Sequence, residues 1–482
     1  MKLRELLAGV PICADSADLE MEISGVSYDS RTTRPGDLFV AMTGFATDGH
    51  QYIAKALANG AAAVLCQRRP EEACAYVQTE DSRRALAVIG GNWFGHPAEE
   101  MTMIAVTGTC GKTTTTYLLK AILEQARGVK VGLIGTNQNM IGSDVIPTER
   151  TTPESFEVQK LFREMADAGC THVVMETSSH ALYLDRVYGV RYDVGIFTNL
   201  TQDHLDFHKT MENYCDAKAI LFRNCVTGVV NADDPWTPRL LKDADCKVMT
   251  YAEQADADLR AENIVLSAGG IAFDAVSGAE RVPIRVNIPG GFMVYNTLDV
   301  LGAALALGIS LEESAAVLEK VPHVKGRVEI VPTPGKDYTI LIDYAHTPDS
   351  MVNVLQTVKE FAKGRTVAVF GCGGDRDRTK RPLMGKAAAD WSDFAVVTSD
   401  NPRTEEPEAI IADILPGFDG SATPYHVVVD RIEAIHWAMD HAETGDVIVL
   451  CGKGHETYQE VNHVKHHMDE REIVADYLSS GR

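Results

Sequence analysis

A short apolar run that ends in a glycine-rich turn, with a helical pattern behind it, is the most informative feature of the chain. Residues 103–107 are apolar or β-branched, which predicts a buried strand. Across residues 118–123 the apolar side chains recur at helical spacing. The turn between these two segments contains Gly108 and Gly111. The pattern therefore predicts a strand, a loop and a helix in direct succession.

This loop has the composition of a phosphate-binding loop. Between a strand and a helix, the backbone N–H groups of a glycine-rich turn point at one place, where an anion binds. Lys112 is expected to reach the β- and γ-phosphates of a nucleotide, and the Thr113 hydroxyl to bind Mg²⁺. Val106 stands where the first glycine normally stands, so a turn without a ligand is the alternative. The residues assigned to nucleotide binding are Gly108, Thr109, Gly111, Lys112, Thr113 and Thr114.

Two later strands end in residues that are able to bind a metal ion. The apolar run 172–175 ends in Glu176, and the run 194–197 precedes a segment that contains His204. A carboxylate at a strand end is where a phosphate-loop enzyme needs a magnesium ligand. Lys218 lies in a predicted amphipathic helix, where spacing alone predicts a solvated lysine. A surface carboxylate and a surface lysine are the alternatives at these positions.

The last third of the chain repeats one design, in which a buried strand is followed by a polar loop. Strands alternating with helical stretches predict a parallel, doubly wound sheet. Ligands of such sheets bind beyond the carboxyl ends of the strands, so we expect the loop side chains to converge there; ordinary surface loops are the alternative. The four predicted strands are residues 340–342, 367–370, 395–397 and 447–450.

Length and composition set the broader limits. A chain of 482 residues predicts about three domains, which we place at residues 1–100, 101–330 and 331–482. The net charge of −23 argues against a nucleic-acid partner. No apolar run approaches ~18 residues, so no membrane span is expected, and no signal segment is evident at the start. The ten scattered cysteines predict reduced thiols and a cytoplasmic location.

In combination, the motifs resemble those of the Mur ligase family. The resemblance covers essentially the whole chain, and the joint order of the motifs is specific although no single motif is decisive. It implies an α/β chain of three domains: a UDP-binding domain, a central ATPase with a parallel sheet, and a Rossmann-like domain that binds an amino acid. The motifs are Asp29-Ser30-Arg31, Gly108-Thr109-x-Gly111-Lys112-Thr113-Thr114, Glu176-x-Ser178-Ser179-His180, Asp203-His204-Leu205-Asp206, Asp343-Tyr344-Ala345-His346-Thr347-Pro348, Gly371-Cys372-Gly373-Gly374-Asp375-Arg376-Asp377, Asp400-Asn401-Pro402-Arg403 and Gly452-Lys453-Gly454-His455-Glu456.

The activity that the resemblance implies is ATP-dependent amide formation through an acyl phosphate. The branch of the family that these residues resemble adds the third amino acid to UDP-N-acetylmuramoyl-L-alanyl-D-glutamate. Two anions must meet in this reaction, so the site needs cations, which Lys112 and Mg²⁺ supply. The resemblance also implies that Lys218 is carbamylated to N6-carboxylysine. The implied catalytic residues are Lys112, Glu176, His204 and Lys218, and the implied metal ligands are Thr113, Glu176, His204 and Lys218.

The same resemblance assigns the substrate contacts. Asn401 and Arg403 offer an amide and a guanidinium to a distal carboxylate, which favours meso-diaminopimelate over lysine. Asn296, Arg327 and Asp343 are implied to hold the adenine, phosphate and ribose of ATP. The UDP-linked dipeptide is assigned to Ser30, Thr151, Thr152, Ser178 and Arg186, and the amino acid to Arg376, Asp400, Asn401, Arg403, Gly452 and Glu456.

Two departures from the family pattern and three alternatives remain at this stage. Cys110 replaces the common Asn of the phosphate loop, and Met293 stands where the family usually has Asn. The loop acts through its backbone, so the cysteine is expected to be tolerated. The alternatives are a lysine-adding or folylpolyglutamate-type sister ligase, a phosphate-loop kinase, and a nucleotide-dependent binding protein without activity. We expect a monomer.

Overall fold

The computed structural model describes residues 1–44, 47–148, 150–267, 269–321 and 325–480. By their contacts these residues form two compact units. The first consists of Met1–Leu200, His204–Val230 and Asp234–Met249, and the second of Thr201–Asp203, Asn231–Asp233 and the described part of Thr250–Arg482. The division into three domains stays a prediction.

A five-stranded sheet forms the N-terminal part of the first unit. Its order is β1-β5-β4-β3-β2, with β1 antiparallel to β5 and the other pairs parallel. All four residues of β3 are buried because the helices cover the sheet. The elements are α1 (Leu3–Leu6), β1 (Ala14–Asp15), β2 (Gly25–Ser27), β3 (Asp37–Val40), a 3₁₀ turn (Gly49–Tyr52), α2 (Ile53–Ala58), β4 (Ala63–Cys66), β5 (Tyr76–Gln78) and α3 (Ser82–Phe94).

The rest of the first unit is built on a second sheet, in which β6 is the middle one of five parallel strands. From β12 to β9 its order is β12-β11-β6-β10-β7-β8-β9. The first five strands are parallel and β8 and β9 are antiparallel. The elements are β6 (Thr102–Thr107), α4 (Lys112–Arg127), β7 (Val131–Ile134), β8 (Asn139–Ile141), β9 (Asp144–Ile146), α5 (Ser155–Asp167), β10 (His172–Glu176), α6 (Ser179–Tyr183), β11 (Tyr192–Phe197), α7 (Leu205–His208), α8 (Met211–Ala219), β12 (Cys225–Asn231) and α9 (Thr237–Leu240), with 3₁₀ turns at Pro97–Glu100 and Ile220–Arg223.

The last three residues of β13 (Lys247–Ala252) belong to the second unit, and the last two of them pair in parallel with β14. An antiparallel meander follows, in which β15 pairs with both β14 and β16. Two helices complete this part of the chain, and α10 is buried over most of its length. The elements are β14 (Leu259–Ser267), β15 (Gly270–Ser277), β16 (Glu280–Val286), α10 (Phe292–Ala306) and α11 (Leu311–Leu318).

The remainder of the second unit is a six-stranded sheet with helices on both faces. Its order is β17-β18-β22-β19-β20-β21, and every pair is parallel except β17 with β18. Alternate strand residues pack against α12 to α14 on one face and against α15 and α16 on the other. The elements are β17 (Glu329–Val331), β18 (Thr339–Asp343), α12 (Pro348–Phe361), β19 (Thr366–Phe370), α13 (Lys380–Trp391), β20 (Phe394–Val397), α14 (Pro407–Ile414), a 3₁₀ turn (Leu415–Phe418), β21 (Tyr425–Val427), α15 (Arg431–Asp440), β22 (Val447–Cys451), β23 (Tyr458–Val461), β24 (Val464–His467) and α16 (Glu470–Ser479).

The prediction of an α/β chain with parallel sheets is confirmed. The four strands predicted in the last third are β18, β19, β20 and β22, and the sheet is doubly wound as expected. The short edge strands β17 and β21 and the hairpin of β23 and β24 were not predicted. All ten cysteines carry free thiols. Among the described residues, no helix is long and apolar enough to cross a membrane.

Candidate functional site

The loop between β6 and α4 has positive φ angles at Gly108 and Gly111, a backbone conformation that favours glycine. Gly108 has φ +153°, and a Cβ there would lie 1.9 Å from Thr198 Oγ1. Gly111 has φ +90° and directly precedes α4. The Thr198 hydroxyl donates to the Cys110 carbonyl at 2.6 Å, and the Cys110 N–H donates to Asn199 Oδ1 at 2.9 Å. The two residues that follow β11 therefore hold the loop in place, and Cys110 takes part in these contacts through its backbone N–H and carbonyl groups.

Lys112 lies at the start of α4 and folds back over the loop. Its Nζ donates to the carbonyls of Gly108 at 2.9 Å and Thr109 at 2.8 Å. Thr113 and Thr114 occupy the same first helical turn and are buried. A cation and a helix N-terminus thus share one end of α4, which is the arrangement that attracts a phosphate group.

Glu176 lies where the pattern predicted, at the end of the strand beside β6. Its register partner on β6 is Val106, and its side chain is 1% exposed. The Thr113 hydroxyl donates to Glu176 Oε1 at 2.9 Å. Thr136 donates from its backbone N–H to Oε1 and from its hydroxyl to Oε2, each at 2.9 Å. A buried carboxylate with three donors is held in one orientation next to the loop.

Lys218 is buried, so the prediction of a solvated lysine from spacing alone was wrong. The residue is 1% exposed because α8 turns this face towards the loop. Its Nζ donates to the Gly108 carbonyl at 2.8 Å and lies 4.4 Å from the centre of the Tyr214 ring. The Tyr214 hydroxyl lies 3.2 Å from Thr109 Oγ1. The second lysine therefore reaches the same loop as Lys112.

Three histidine rings lie beside Lys218. The ring of His204 is 4.8 Å from that of His180 and 6.1 Å from that of Tyr214. His208 donates or accepts a hydrogen bond with Ser179 at 2.9 Å. Burial lowers the pKa of His180 and of His208 to about 4, and nearby positive charges, including Lys218, add to the effect. These two imidazoles are neutral at pH 7.

In the described residues, the predicted metal ligands do not form a complete metal site. Over the described parts of the chain, no group of three or more His, Cys, Asp or Glu side chains is placed to hold a metal ion. Thr113 and Glu176 offer two oxygen donors in contact with each other, and oxygen is the ligand atom that Mg²⁺ prefers. Carbamylation of Lys218 would add a third oxygen ligand, so the donor chemistry fits magnesium.

The residues assigned to the dipeptide form a second group next to Glu176. The Thr152 hydroxyl donates to the Glu176 carbonyl at 2.9 Å and accepts from the Ser178 N–H at 3.1 Å. Arg186 donates from Nη1 to the Thr152 carbonyl at 3.1 Å. Thr151 pairs with Thr136 through their hydroxyls at 3.0 Å. The N-cap of α5 is Glu154 rather than either threonine.

Ser30 belongs to a different element from the other dipeptide residues. It follows β2 in the N-terminal sheet, is 5% exposed, and its carbonyl accepts from Asn59 Nδ2 at 2.7 Å. Helix α3 nevertheless connects to the dipeptide group through Glu154, which pairs with Arg83 of this helix at 3.6 Å and with Arg186 at 3.4 Å. The motif analysis missed Glu154 and Arg83 because the pairing partners are distant in sequence.

In the second unit, Asp343 closes the end of β18. Its two oxygens accept from the backbone N–H groups of Val328 and Ala345, both at 2.8 Å. Burial raises the pKa of Asp343, while the charge of Arg327 opposes that rise. Arg327 also lies 5.2 Å from the centre of the Tyr344 ring. Asn296 lies on another element, α10, where its amide contacts Met293, the residue that departs from the family pattern.

The ends of β20 and β22 bring the predicted amino-acid ligands together. Asn401 donates from Nδ2 to Glu456 Oε2 at 3.0 Å. Gly452 has φ +112°, and a Cβ there would lie 2.4 Å from Asp400 Oδ2. Arg403 donates from Nε to Glu460 Oε2 at 3.1 Å and from Nη1 to the Gly374 carbonyl at 2.8 Å. The convergence predicted for these strand ends is confirmed.

Arg376 stands at the rim of this group. It is exposed on the loop after β19, and its Nη1 donates to the neighbouring Asp375 carbonyl at 3.0 Å. A Cβ at Gly373 would lie 2.8 Å from Arg403 Nη1 and 3.7 Å from Arg376 Cγ. Gly373 therefore leaves the space in which the two guanidinium side chains approach each other.

A fully buried ion pair between Arg431 and Glu470, which sequence analysis missed, supports the ends of β20 and β22. Arg431 is 1% exposed, donates from Nε to Glu470 Oε1 at 2.8 Å, and donates from Nη2 to the Cys451 carbonyl at 2.8 Å. Its Nη1 lies 3.5 Å from the Ser399 carbonyl. The guanidinium thus ties the ends of β20 and β22 to α16.

Breaking this pair is expected to destabilise the second unit strongly. Replacing Arg431 with methionine leaves the Glu470 carboxylate buried without its partner, which costs about 3–5 kcal/mol of unfolding free energy. The matched control is Arg378→Met, which removes an exposed pair with Asp413 and should cost less than about 1 kcal/mol. Urea unfolding followed by circular dichroism measures both; equal losses would contradict a special role for the buried pair.

Comparison with known proteins places the chain in a family. The Mur ligase middle domain matches residues 106–304, the glutamate ligase domain of Mur ligases matches residues 326–454, and the Mur ligase family catalytic domain matches residues 22–92. A Clostridium botulinum protein named UDP-N-acetylmuramoyl-L-alanyl-D-glutamate–2,6-diaminopimelate ligase is 49% identical over 463 residues, which is 95% of each chain.

Two further matches extend over almost the full length. A Clostridium acetobutylicum protein of the same name, numbered 1, is 47% identical over 481 residues and covers 99% of each chain. A solved structure titled as a UDP-N-acetylmuramoyl-L-alanyl-D-glutamate–2,6-diaminopimelate ligase is 33% identical, with a TM-score of 0.72 over 100% of this chain and 99% of the other. Because identity this high extends along nearly its whole length, the chain belongs to the Mur ligase family of ATP-dependent ligases.

Proposed function

We infer that this chain catalyses the ATP-dependent joining of meso-2,6-diaminopimelate to UDP-N-acetylmuramoyl-L-alanyl-D-glutamate, a step in the synthesis of peptidoglycan precursors. One observation carries the choice of amino acid. Asn401 and Arg403 follow β20 and Glu456 follows β22; they offer an amide, a guanidinium and a carboxylate, and the Asn401 amide donates to Glu456 Oε2 at 3.0 Å. An amino-acid end that bears both a carboxylate and an ammonium group complements this set.

The reaction needs an activated carboxylate, because hydroxide is a poor leaving group at neutral pH. The terminal carboxylate of the dipeptide attacks the γ-phosphorus of ATP, which forms an acyl phosphate and releases ADP. The amine of the amino acid then attacks the acyl carbon, and the tetrahedral intermediate expels inorganic phosphate as the amide forms. Lys112 and the N–H groups of its loop offset the negative charge that accumulates as carboxylate and phosphate approach.

Magnesium is part of this proposal. A bound Mg²⁺ would supply positive charge between the phosphates and the carboxylate, with Thr113, Glu176, His204 and carbamylated Lys218 as its ligands. Thr113 and Thr136 orient Glu176 through their hydrogen bonds. The neutral imidazoles of His180 and His208 add no further positive charge beside Lys218.

The remaining assignments follow the same division. Asn296, Arg327 and Asp343 are proposed to hold ATP, and Ser30, Thr151, Thr152, Ser178 and Arg186 to hold the UDP-linked dipeptide. We propose three domains at residues 1–100, 101–330 and 331–482. We also propose a cytoplasmic location, which the ten free thiols support, and no nucleic-acid partner, which the net charge of −23 supports. A monomer is proposed as well.

Phosphate release tests the proposed reaction. Incubation with ATP, Mg²⁺, the UDP-linked dipeptide and diaminopimelate should give ADP, free phosphate and the UDP-linked tripeptide in equal amounts. A kinase would instead leave the phosphate on its product, and a binding protein would release none. Replacing diaminopimelate with lysine should lower the rate strongly; a preference for lysine would overturn the choice of amino acid.

Arg403 is expected to control the selectivity between these two amino acids. Lysine lacks the distal carboxylate, so it cannot form the charge-assisted hydrogen bond that Arg403 would offer in addition to its pair with Glu460. Loss of one charge-assisted hydrogen bond costs about 1.5–3 kcal/mol, so Arg403→Ala should lower kcat/KM for diaminopimelate by roughly 10- to 150-fold. The value for lysine should change by less than about threefold.

Two comparisons make the Arg403 test specific. Arg403→Lys should restore only part of the activity, because an ammonium cannot reproduce the planar fork of the guanidinium. Arg378→Ala, which removes an exposed arginine on the same unit, should leave both substrates unaffected. Equal losses for diaminopimelate and lysine in Arg403→Ala would mean that Arg403 has only a structural role.

A further inference from the structure

Lys453 is a fully buried lysine in the middle of the proposed amino-acid site. It is 0% exposed. The glycines on both sides adopt positive φ angles of +112° and +52°, and a Cβ at Gly454 would lie 2.6 Å from Tyr344 Cβ. This tight turn directs the lysine side chain inward, away from solvent. Burying an unpaired ammonium is costly, so a lysine in this position requires specific partners.

The partners of Lys453 are two of the proposed diaminopimelate ligands. Its Nζ donates to Asn401 Oδ1 at 2.8 Å and to Glu456 Oε2 at 2.8 Å. The ring of Tyr458 lies 5.1 Å from Nζ. The charge of Lys453 also acts on buried Glu470. The ammonium therefore sits behind the ligand pair, within reach of both side chains at once.

These contacts decide which way the Asn401 amide points. Its Oδ1 accepts from Lys453 Nζ and also from the Glu460 backbone N–H at 2.8 Å. A flipped amide would turn its NH₂ group towards two donors, which is unfavourable. Nδ2 is consequently held on the opposite side, where it donates to Glu456 at 3.0 Å. Asn401 can then present N–H to a carboxylate, as the proposed function requires.

We propose that Lys453 is a positioning residue of the amino-acid site, which fixes the amide of Asn401 as a donor and the carboxylate of Glu456 as an acceptor. This proposal rests on the proposed function, because it explains how that site distinguishes the two ends of a zwitterion. Lys453 itself is too deeply buried to touch the substrate. Its effect must pass through Asn401 and Glu456.

The test replaces Lys453 with glutamine and with methionine. Both variants should raise the KM for diaminopimelate at least tenfold, because neither holds the amide and the carboxylate with a charge. The KM values for ATP and for the UDP-linked dipeptide should stay within about twofold of wild type. Exchange of label between ADP and ATP in the presence of the dipeptide, without an amino acid, should continue at the wild-type rate. A purely structural role would alter all of these values together.

The chain offers a matched control lysine. Lys465 lies 4.2 Å from the centre of the same Tyr458 ring but is exposed on β24. Lys465→Gln should leave the KM for diaminopimelate unchanged. A tenfold rise in this control would show that the change lies in the Tyr458 hairpin and would overturn the role of Lys453.

A double-mutant cycle tests whether Lys453 acts through Glu456. If it does, adding Lys453→Gln should raise the KM for diaminopimelate less in the Glu456→Gln background than in the wild type, because only the part that passes through Asn401 remains. Independent, multiplying effects would overturn the proposal. Unfolding of both Lys453 variants, seen as a lost thermal transition, would overturn it too, since the residue would then be structural. Wild-type enzyme that uses another amino acid but not diaminopimelate would refute the proposed function instead.

Discussion

Replacing Lys112 with alanine will abolish phosphate release while leaving the affinity for the UDP-linked dipeptide nearly unchanged. Lys112 Nζ now binds two neutral carbonyls, those of Gly108 and Thr109, and can exchange them for phosphate oxygens when ATP enters. An anion offers a cation a much stronger partner than a carbonyl in a site that excludes water. Loss of one such donor to developing charge lowers kcat by roughly 10²–10³-fold, and we expect at least the upper value here.

A control lysine and a binding measurement distinguish a loss of nucleotide chemistry from a loss of folding in the Lys112→Ala enzyme. Lys120 lies two turns further along α4, is also buried, and pairs with Glu124 at 2.6 Å. Lys120→Ala should retain most of the activity. Calorimetric titration with the UDP-linked dipeptide should give similar dissociation constants for wild type and Lys112→Ala. A Lys112→Ala enzyme with a comparable rate would refute the assignment of the phosphate loop.

The elements that sequence analysis predicted well are those whose pattern is local. The run of β6, the glycines of its loop and the amphipathic start of α4 are neighbours in sequence, so their geometry follows from adjacent residues. The position of Glu176 was also predictable, because an apolar run before a carboxylate marks a strand end. In a parallel sheet, strand ends meet at one edge, which brought Asn401 and Glu456 together across 55 residues.

The side chains that sequence analysis misjudged or did not single out depend on partners far along the chain. Lys218 is buried because of Gly108, which lies 110 residues earlier. Lys453 is buried because Asn401 accepts its hydrogen bond from 52 residues away, and Arg431 pairs with Glu470 across 39 residues. A charged residue carries no sign of burial in its own neighbourhood. Whether such a side chain is buried depends on the contacts of its aliphatic carbons and on its hydrogen-bond partners. Both are set only by the order of the strands in the folded sheet.

Short edge elements escaped prediction for a different reason. Strands β17 and β21 contain three residues each, too few to display a period of two. The hairpin of β23 and β24 is mostly polar and carries only Val461 and Val464 as aliphatic residues, one on each side of its turn. It nevertheless matters to the site, because Arg403 donates its backbone N–H to the Glu460 carbonyl at 3.0 Å and accepts from the Asn462 N–H at 2.8 Å. Tertiary pairing, rather than an apolar pattern, holds it in place.

Lys218 is expected to carry a carbamate. The ammonium of Lys218 first loses one proton; the neutral Nζ then forms an N–C bond with CO₂ as one C=O π bond opens, and a second proton leaves the nitrogen, so that the charge changes from +1 to −1. Burial is the main reason that the pKa values of His180 and His208 are lowered to about 4, and the ammonium charge of Lys218 adds to it. A carbamate would remove the positive charge that disfavours protonation of these imidazoles and would also offer oxygen to Mg²⁺ beside Thr113 and Glu176. Enzyme prepared in ¹³C-bicarbonate should give a carbamate carbon signal that the Lys218→Ala variant lacks.

Lys218→Ala should lower the rate of phosphate release by about 10²–10³-fold, as expected for loss of a group that stabilises transferring phosphate. Added acetate or propionate should restore part of the rate, because a short carboxylate can occupy the space that the side chain leaves and return its negative charge. Lys209→Ala removes an exposed lysine nearby and should neither lose activity nor respond to carboxylates. Removal of CO₂ should slow the wild type and leave the rescued variant unaffected. An unmodified Lys218 in an active enzyme, or a Lys218→Ala variant with full activity, would contradict the carbamate, since the buried amine would then act only by filling space beside the loop.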